Sequence, residues 1–432
     1  MSGRHRPQGG GGMTADALLT PTPGGPTTAP PRGRRLSWPG MLLAVAGGLV
    51  ALAAVRAVTG ANDITSSGAI RAALESAVPI GLAGLGGLWS ERSGVVNIAL
   101  EGQLILGTWF GAWAGYHWGP WAGVVAGIIG GALGGLLHAL ATVTFGVDHI
   151  VSGVAVTILA GGATRFLSQL AFVGLKGGDI TQSPYLPQLP RWSVPGVDSL
   201  GGLERKHWFL LSDLAGIVRG TLTNVSALTL IAILLVPLTF LVLWRTSFGL
   251  RLRSCGENPK AAESLGVNVY LYKYYGVVIS GALAGLGGVF LSMVASSIYR
   301  EGQTGGRGFI GLAAMIFGNW RPGGLASGAL LFGYTDALQL RGGSTSVHAL
   351  LLLVAVLLLG VAVLQIVRRR VVMAAVTLAL AVLAAVWFAT TKTVPREFLQ
   401  FAPHLTTLVV LALASQRLRM PAADGQPYRR GG

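Results

Sequence analysis

Runs of about twenty apolar residues, broken by short polar or basic stretches, recur along almost the whole chain, and about twenty is the length a helix needs to cross a bilayer. The runs 38–59, 69–89, 95–116, 119–145, 149–173, 226–244, 274–298, 322–340, 347–367 and 371–390 each read as a spanning helix. Two shorter apolar stretches, 308–319 and 402–416, are ambiguous by length alone. A membrane β-barrel would show short alternating segments instead. The fold class is therefore all-α, a polytopic transmembrane helix bundle. The first apolar run starts late and has no clear small-residue cleavage site, so 38–59 reads as a retained helix.

The basic residues order these runs. Clusters lie in the N-terminal tail, in 245–273, at Arg321, at Arg368–Arg370 and at Arg417, Arg419, Arg429 and Arg430. Counting both short stretches as passes puts every cluster on one side, which predicts about twelve membrane segments with N and C termini cytoplasmic. The number is ten if 308–340 and the C-terminal stretch are not full passes. The 308–319 stretch also reads as half of a re-entrant hairpin turning at Asn319–Gly324. On this topology 1–37 is a disordered basic cytoplasmic tail, 38–416 the membrane domain, and 417–432 a cytoplasmic tail. The 174–225 segment, rich in proline, is an external loop: a connector, or a surface for an extracytoplasmic partner. The 245–273 segment is a cytoplasmic loop.

Composition narrows the function. Hydrophobic residues are 52% of the chain and charged residues 11%, against about 25% charged in a soluble protein. The 65 glycines suit helices that pack backbone to backbone in lipid. A net charge of +16 invites a nucleic-acid reading, but the arginines lie between apolar runs and at the tails, so no nucleic acid binding is expected. A P-loop needs a lysine after glycine, and none of Lys176, Lys206, Lys260, Lys273 and Lys392 has one. ATP hydrolysis by that route is excluded, and no HExxH metal motif occurs. Cys255 is the single cysteine, which rules out an internal disulfide.

Two segments carry candidate chemistry. In 245–273, Asn258-Pro259 is a helix start and Gly266 a stop, framing a short helix from Lys260 to Leu265. Such a helix is a knob that a soluble partner can grip, or else part of a solvated basic loop. Cys255 beside it offers a native thiol for cross-linking. In 91–103, Asn97 and Glu101 stand one turn apart with Gln103 nearby, at the start of an apolar helix. Intramembrane ionisable groups are costly and point to function. Glu101 lies on a substrate path, or pairs with Arg92, or caps a broken helix end. Trp109, Phe110 and Trp113 read as interface anchors. Gly127–Leu140 faintly echoes Ile279–Ser292, as inverted repeats of transporters do, although glycine-rich membrane helices also look alike.

The pattern from Thr246-Ser247-Phe248-Gly249-Leu250-Arg251 through Gly256-Glu257-Asn258-Pro259 to Ala261-Ala262 and Gly266 resembles the coupling segment of ABC importer permeases of the branched-chain amino acid, ribose and nucleoside group. Glu91-Arg92-Ser93-Gly94-Val95-Val96-Asn97-Ile98-Ala99-Leu100-Glu101-Gly102 is similar to a signature of their nucleoside and simple-sugar branch, with Ala99 where that branch has glycine. Val147–Gly153 and Gly306–Trp320 also resemble that branch, so the resemblance covers about 69–340. It implies a non-catalytic membrane subunit that binds no cofactor, with ATP and Mg handled by a cytoplasmic ABC ATPase. It implies a second permease subunit in a heterodimer and an extracytoplasmic substrate-binding lipoprotein. It implies that Gly256, Glu257, Asn258, Ala261, Ala262 and Gly266 meet the ATPase, and that Asn97, Glu101 and Gln103 line the substrate path. A branched-chain amino acid permease fits the coupling segment but fits Glu91–Gly102 less well. A secondary transporter or channel would need a coupling-ion site, for which Glu75 and Glu101 are the main acids.

Overall fold

The structure, a computed structural model, describes residues 38–341, 343–395 and 418–429, so the predicted 1–37 tail and 402–416 pass lie outside the described residues. The chain divides into two units, Met1–Gly48 and Leu49–Gly432; of the first, the described part is the opening of helix α1 (Trp38–Thr59).

Helix α2 (Ser67–Arg92) begins where the Ser66 side chain accepts the Ala69 N–H, and it carries Pro79 inside. A membrane helix tolerates that proline because neighbours satisfy the freed carbonyl. Helices α3 (Leu100–Trp118) and α4 (Pro120–Ala139) follow, the latter ending in a π-helical turn, Leu140–Thr144. Helix α5 (His149–Ala171) is capped by Asp148, whose carboxylate takes the Ile150 and Val151 N–H groups. Seven described helices are long and apolar enough to cross a membrane.

The 174–225 segment is built, not merely a connector. It holds strand β1 (Arg191–Trp192), short helix α6 (Gly201–Glu204) and helix α7 (Leu211–Leu222), and β1 pairs antiparallel with β2 (Val225–Ser226). Helix α7 lies on the start of α2: a side chain at Gly220 would collide with Ile70 and the Ser67 carbonyl. A buried Arg56–Asp213 ion pair at 2.7 Å ties α7 to the end of α1.

Helix α8 (Ala227–Arg245) leads into α9 (Ser247–Glu257) and α10 (Pro259–Ser264). Helix α9 stands where the sequence predicts loop; Thr246 caps it by accepting the Gly249 N–H. Helix α11 (Val269–Phe290) ends in a second π-helical turn, Leu291–Ala295. Helix α12 (Arg307–Phe317) has eleven residues, about 16 Å of rise against a hydrocarbon core of about 30 Å. The chain that precedes it runs through bends and turns, with Ser297 at φ +58°, and its Tyr299 and Ser297 carbonyls accept the Ser183 and Leu186 N–H groups of the 174–225 segment. The chain that follows it, at Asn319 and Trp320, turns through two left-handed residues beside the opposite end of α2. Helices α13 (Pro322–Arg341), α14 (Gly343–Val367) and α15 (Val371–Thr390) complete the bundle.

The packing of α3, α4 and α11 explains the glycine content. A methyl group built on Gly107 would overlap the backbone of Gly285, and one built on Gly131 would overlap that of Gly281. Backbones in contact leave no room for a side chain, which is how small residues bring membrane helices together.

Candidate functional site

The link between α2 and α3 positions the first candidate group. Asn97 is fully buried there and donates to Gln103 Oε1 at 3.0 Å and to Ser280 Oγ of α11 at 2.7 Å; the Gln103 amide returns a bond to Asn97 Oδ1 at 3.3 Å. These two amides are spent on each other and on Ser280, which locks α3 to α11. Glu101 faces elsewhere. Its two carboxylate oxygens accept the Gly306 and Gly308 N–H groups, at 2.9 and 2.7 Å, at the start of α12. A carboxylate on a helix N-terminus meets both the unpaired N–H groups and the positive end of the dipole. Glu101 thus caps the helix that interrupts the 296–320 stretch. Arg92 does not pair with it: Arg92 donates to the Trp320 carbonyl at 2.8 Å and pairs with Glu257 at 3.6 Å. Glu75 is likewise engaged, with Arg191 at 3.1 Å. Asp336 follows the same rule and pairs with Arg307 at 2.9 Å. All three acids serve contacts between elements.

The second site is the knob. Asn258 Oδ1 accepts the Ala261 N–H at 3.1 Å, Pro259 occupies the first helical position, and Gly266 has φ +81°. Start and stop lie where the sequence places them. Ala262 is buried and faces inward, whereas Lys260, Ala261 and Ser264 are not, and Leu265 is 84% exposed. An apolar apex in water at the end of a capped helix suits a partner's pocket. Gly256, at the end of α9, sits against Arg92 and Gly94, where a Cβ would overlap the Arg92 carbonyl. Gly256 and Glu257 thus hold the knob to the end of α2, whereas Ala261 and Leu265 face out.

The surroundings of the knob bring one correction and one feature that the sequence left open. Cys255 is fully buried in a cluster with Ala262 and Val269 on which Tyr428 packs, and burial pushes its thiol up to about 11. A thiolate is the reactive form, so the native cysteine is a poor cross-linking handle in this conformation. The C-terminal residues 418–429, read from the sequence only as a cytoplasmic tail, have a defined place. They lie on the knob, with Ala423 N–H donating to the Gly256 carbonyl at 2.9 Å and Tyr428 OH to Glu263. Trp320, whose Nε1 donates to Glu91, is a further group that the sequence pattern does not single out. Its signal there is a tryptophan followed by Arg321-Pro322 at a helix break. Among the described residues no three His, Cys, Asp or Glu side chains cluster as a metal site.

Residues 69–364 match the protein family described as branched-chain amino acid transport system / permease component. Over 357 residues the chain is 34% identical to the nucleoside ABC transporter permease protein NupC of Lactococcus lactis, covering 81% of this chain and 93% of that one. Over 370 residues it is 34% identical to the guanosine ABC transporter permease protein NupQ of Bacillus subtilis, covering 84% and 96%. A glucose ABC transporter permease protein, TsgB13 of Haloferax volcanii, is 26% identical over 296 residues, covering 64% and 73%. No solved structure matches the chain.

Proposed function

The chain belongs to the branched-chain amino acid transport system permease component family, and from that premise we propose that it forms the membrane pathway of an ABC importer for nucleosides or simple sugars. As a permease it is a non-catalytic, multi-pass subunit of the plasma membrane, and ATP is hydrolysed by a separate ATPase. The observation that carries the reading is the capped helix α10 with its bare apex, Leu265, braced on α2 through Glu257 and Arg92. It is the surface that a cytoplasmic ATPase grips, through Asn258, Ala261 and Gly266; Ala262, which the sequence pattern places on that surface, is buried and stands behind it with Gly256 and Glu257. A second, different permease chain and an extracytoplasmic binding lipoprotein complete the assembly.

About twelve passes with both termini cytoplasmic fit the contacts on each side. Supporting the count, 296–320 runs from the 174–225 segment to the Arg92 end of α2, so a stretch of bends and turns and half-helix α12 together make one pass. Interrupted helices of this sort line substrate sites in transporters. Asn97, Glu101 and Gln103 set the frame of that path, Glu101 by holding the break. The family match runs from 69 to 364, the 174–225 segment is the external face, and 245–273 is the coupling loop.

The test is uptake of labelled nucleosides, pentoses and branched-chain amino acids by cells with and without the gene. Nucleoside or pentose uptake should fall in the deletion and return with the intact chain. Loss of amino acid uptake alone would overturn the substrate class. A reporter phosphatase fused at the C-terminus should be inactive; activity outside would overturn the topology.

A further inference from the structure

The C-terminal segment is the feature that the functional reading leaves unused. From Arg419 to Tyr428 it crosses three elements that are distant in sequence. Arg419 N–H donates to the Asn319 side chain at 2.7 Å, at the turn between α12 and α13. Asp424, only 9% exposed, lies against Glu91 at the end of α2, and Gly425 packs on Val96. Ala422 and Ala423 bond Glu257 and the Gly256 carbonyl, closing the last turn of α9. Tyr428 then reaches Glu263 of α10 with its hydroxyl, packs its ring on the buried cluster of Cys255, Ala262 and Val269, and lies against Tyr270 of α11. The segment bonds the inner flank of α10 and leaves the outer flank, with Ala261, Ser264 and Leu265, open to solvent.

We propose that residues 419–429 are a brace that clamps the coupling helix to the end of α2 and to the α12–α13 turn, so that a push by the ATPase on α10 moves all three together. The identity of what pushes rests on the importer reading; the clamp itself does not. Without the brace, α10 hangs on α9, on the 3.6 Å Arg92–Glu257 pair and on the chain entering α11. A six-residue helix held at its ends and by the single buried Ala262 absorbs force by tilting. Held along its inner flank by Tyr428, it passes displacement to α2, which carries Glu91 and runs into the Asn97–Gln103 link, and to α12, which Glu101 caps. The brace therefore joins the surface offered to the partner to both helices around the interrupted pass.

The clamp is read by the native cysteine. In the purified full chain, Cys255 should react slowly with a maleimide. Truncation after Met420, and separately Tyr428→Ala, should speed labelling at least tenfold, because the ring that packs on its cluster is gone. Equal labelling rates in all three chains would overturn the clamp. In complexes with the cognate ATPase, the truncated chain should still copurify and drive ATP hydrolysis, while uptake per ATP falls about tenfold. Tyr428→Phe, which keeps the ring and loses the bond to Glu263, should give an intermediate loss of uptake with Cys255 still protected. Full uptake by the truncated chain would overturn the transmission role. Failure of the intact chain to copurify with any ATPase would refute the importer reading, and the labelling rates would still decide the clamp by themselves.

Discussion

Helices α2 and α11 stand at one extreme of this bundle and α14 and α15 at the other. The most apolar window of α2 has a mean hydropathy of 1.3 and is 72% buried; that of 269–295 has 2.1 and is 83% buried. For α14 and α15 the values are 3.1 and 2.6, and each window is 17% buried. Between these two pairs, burial and hydropathy run in opposite directions. In water the most apolar helix would sit in the core, but lipid tails are as apolar as leucine, so hydrophobicity gives helices no reason to seek each other. What draws them together is close backbone contact and polar bonding. Between the two pairs, the stronger hydropathy signal therefore marks the exposed helices, and the weaker marks those that carry chemistry.

The sharpest way to break this contrast is to give both regions the same substitution. Gly107→Leu forces a side chain into the Gly285 backbone, whereas Gly360→Leu in α14 meets nothing within 4 Å. Overpacking costs about 1–3 kcal/mol where side chains can shift. Here the obstacle is backbone, so Gly107→Leu should cost about 3 kcal/mol or more and leave little protein in the membrane. Gly360→Leu should stay within about 0.5 kcal/mol of the parent. Thermal unfolding in detergent and membrane protein level measure both. Equal loss in the two would mean that α14 packs against a partner as tightly as α3 packs on α11.

The reverse experiment puts a charge where lipid is the neighbour. Leu383 in α15 is 67% exposed, so Leu383→Arg should cost about 2.5–3.5 kcal/mol of insertion free energy, while Leu383→Ala should change little. An insertion assay that finds the arginine tolerated would place that face against protein or water.

The same contrast explains which features are legible in the sequence. Spans such as 149–173 and 371–390 are readable because hydropathy reports the lipid-facing side. The knob is readable because Asn258, Pro259 and Gly266 are local signals whose geometry needs no distant partner. The docking of the tail is not, because it joins residues some 170 positions apart, and no local pattern announces that Tyr428 packs on the cluster around Cys255. Glu101 lies between: its polarity in an apolar run is visible, but its partners, Gly306 and Gly308, carry no side chain to betray the contact.

Glu101→Gln tests that intermediate case. The amide keeps one acceptor oxygen for the two N–H groups of α12 and loses the charge that favours the helix N-terminus. A lost cap costs about 0.5–2 kcal/mol, so a loss of about 1–2 kcal/mol in thermal unfolding is expected. If the break also shapes the substrate path, uptake per protein should fall further than protein level does. A variant with parental stability and uptake would remove Glu101 from both roles.

The smallest effect on the fold concerns the residues that defy the comparison, for 418–429 follow the lipid-facing pair in sequence yet rest on core elements. Burial, then the Glu91 charge and the bond between the two carboxyls, push Asp424 up to about 9. Glu91 and Arg92 face it from α2 and Lys273 from α11. Undocked, Asp424 returns to an ordinary value near 3.8, so docking takes up a proton. The sign follows: docking is strongest below about pH 4, weakens as pH rises, and is least favourable above about pH 9, by at most about tenfold per pH unit. The two nearby cations reduce that slope. Asp424→Asn supplies a neutral side chain at every pH and should abolish it. Limited trypsin cleavage at Arg419 and Arg429, followed by mass spectrometry, reads how often the segment lifts. The ratio of parental to Asp424→Asn cleavage should rise from about pH 7 to about pH 9, with whole-protein unfolding hardly altered. A ratio constant across that range would show that Asp424 docks with its charge intact, held by Arg92 and Lys273 instead of by a proton shared with Glu91.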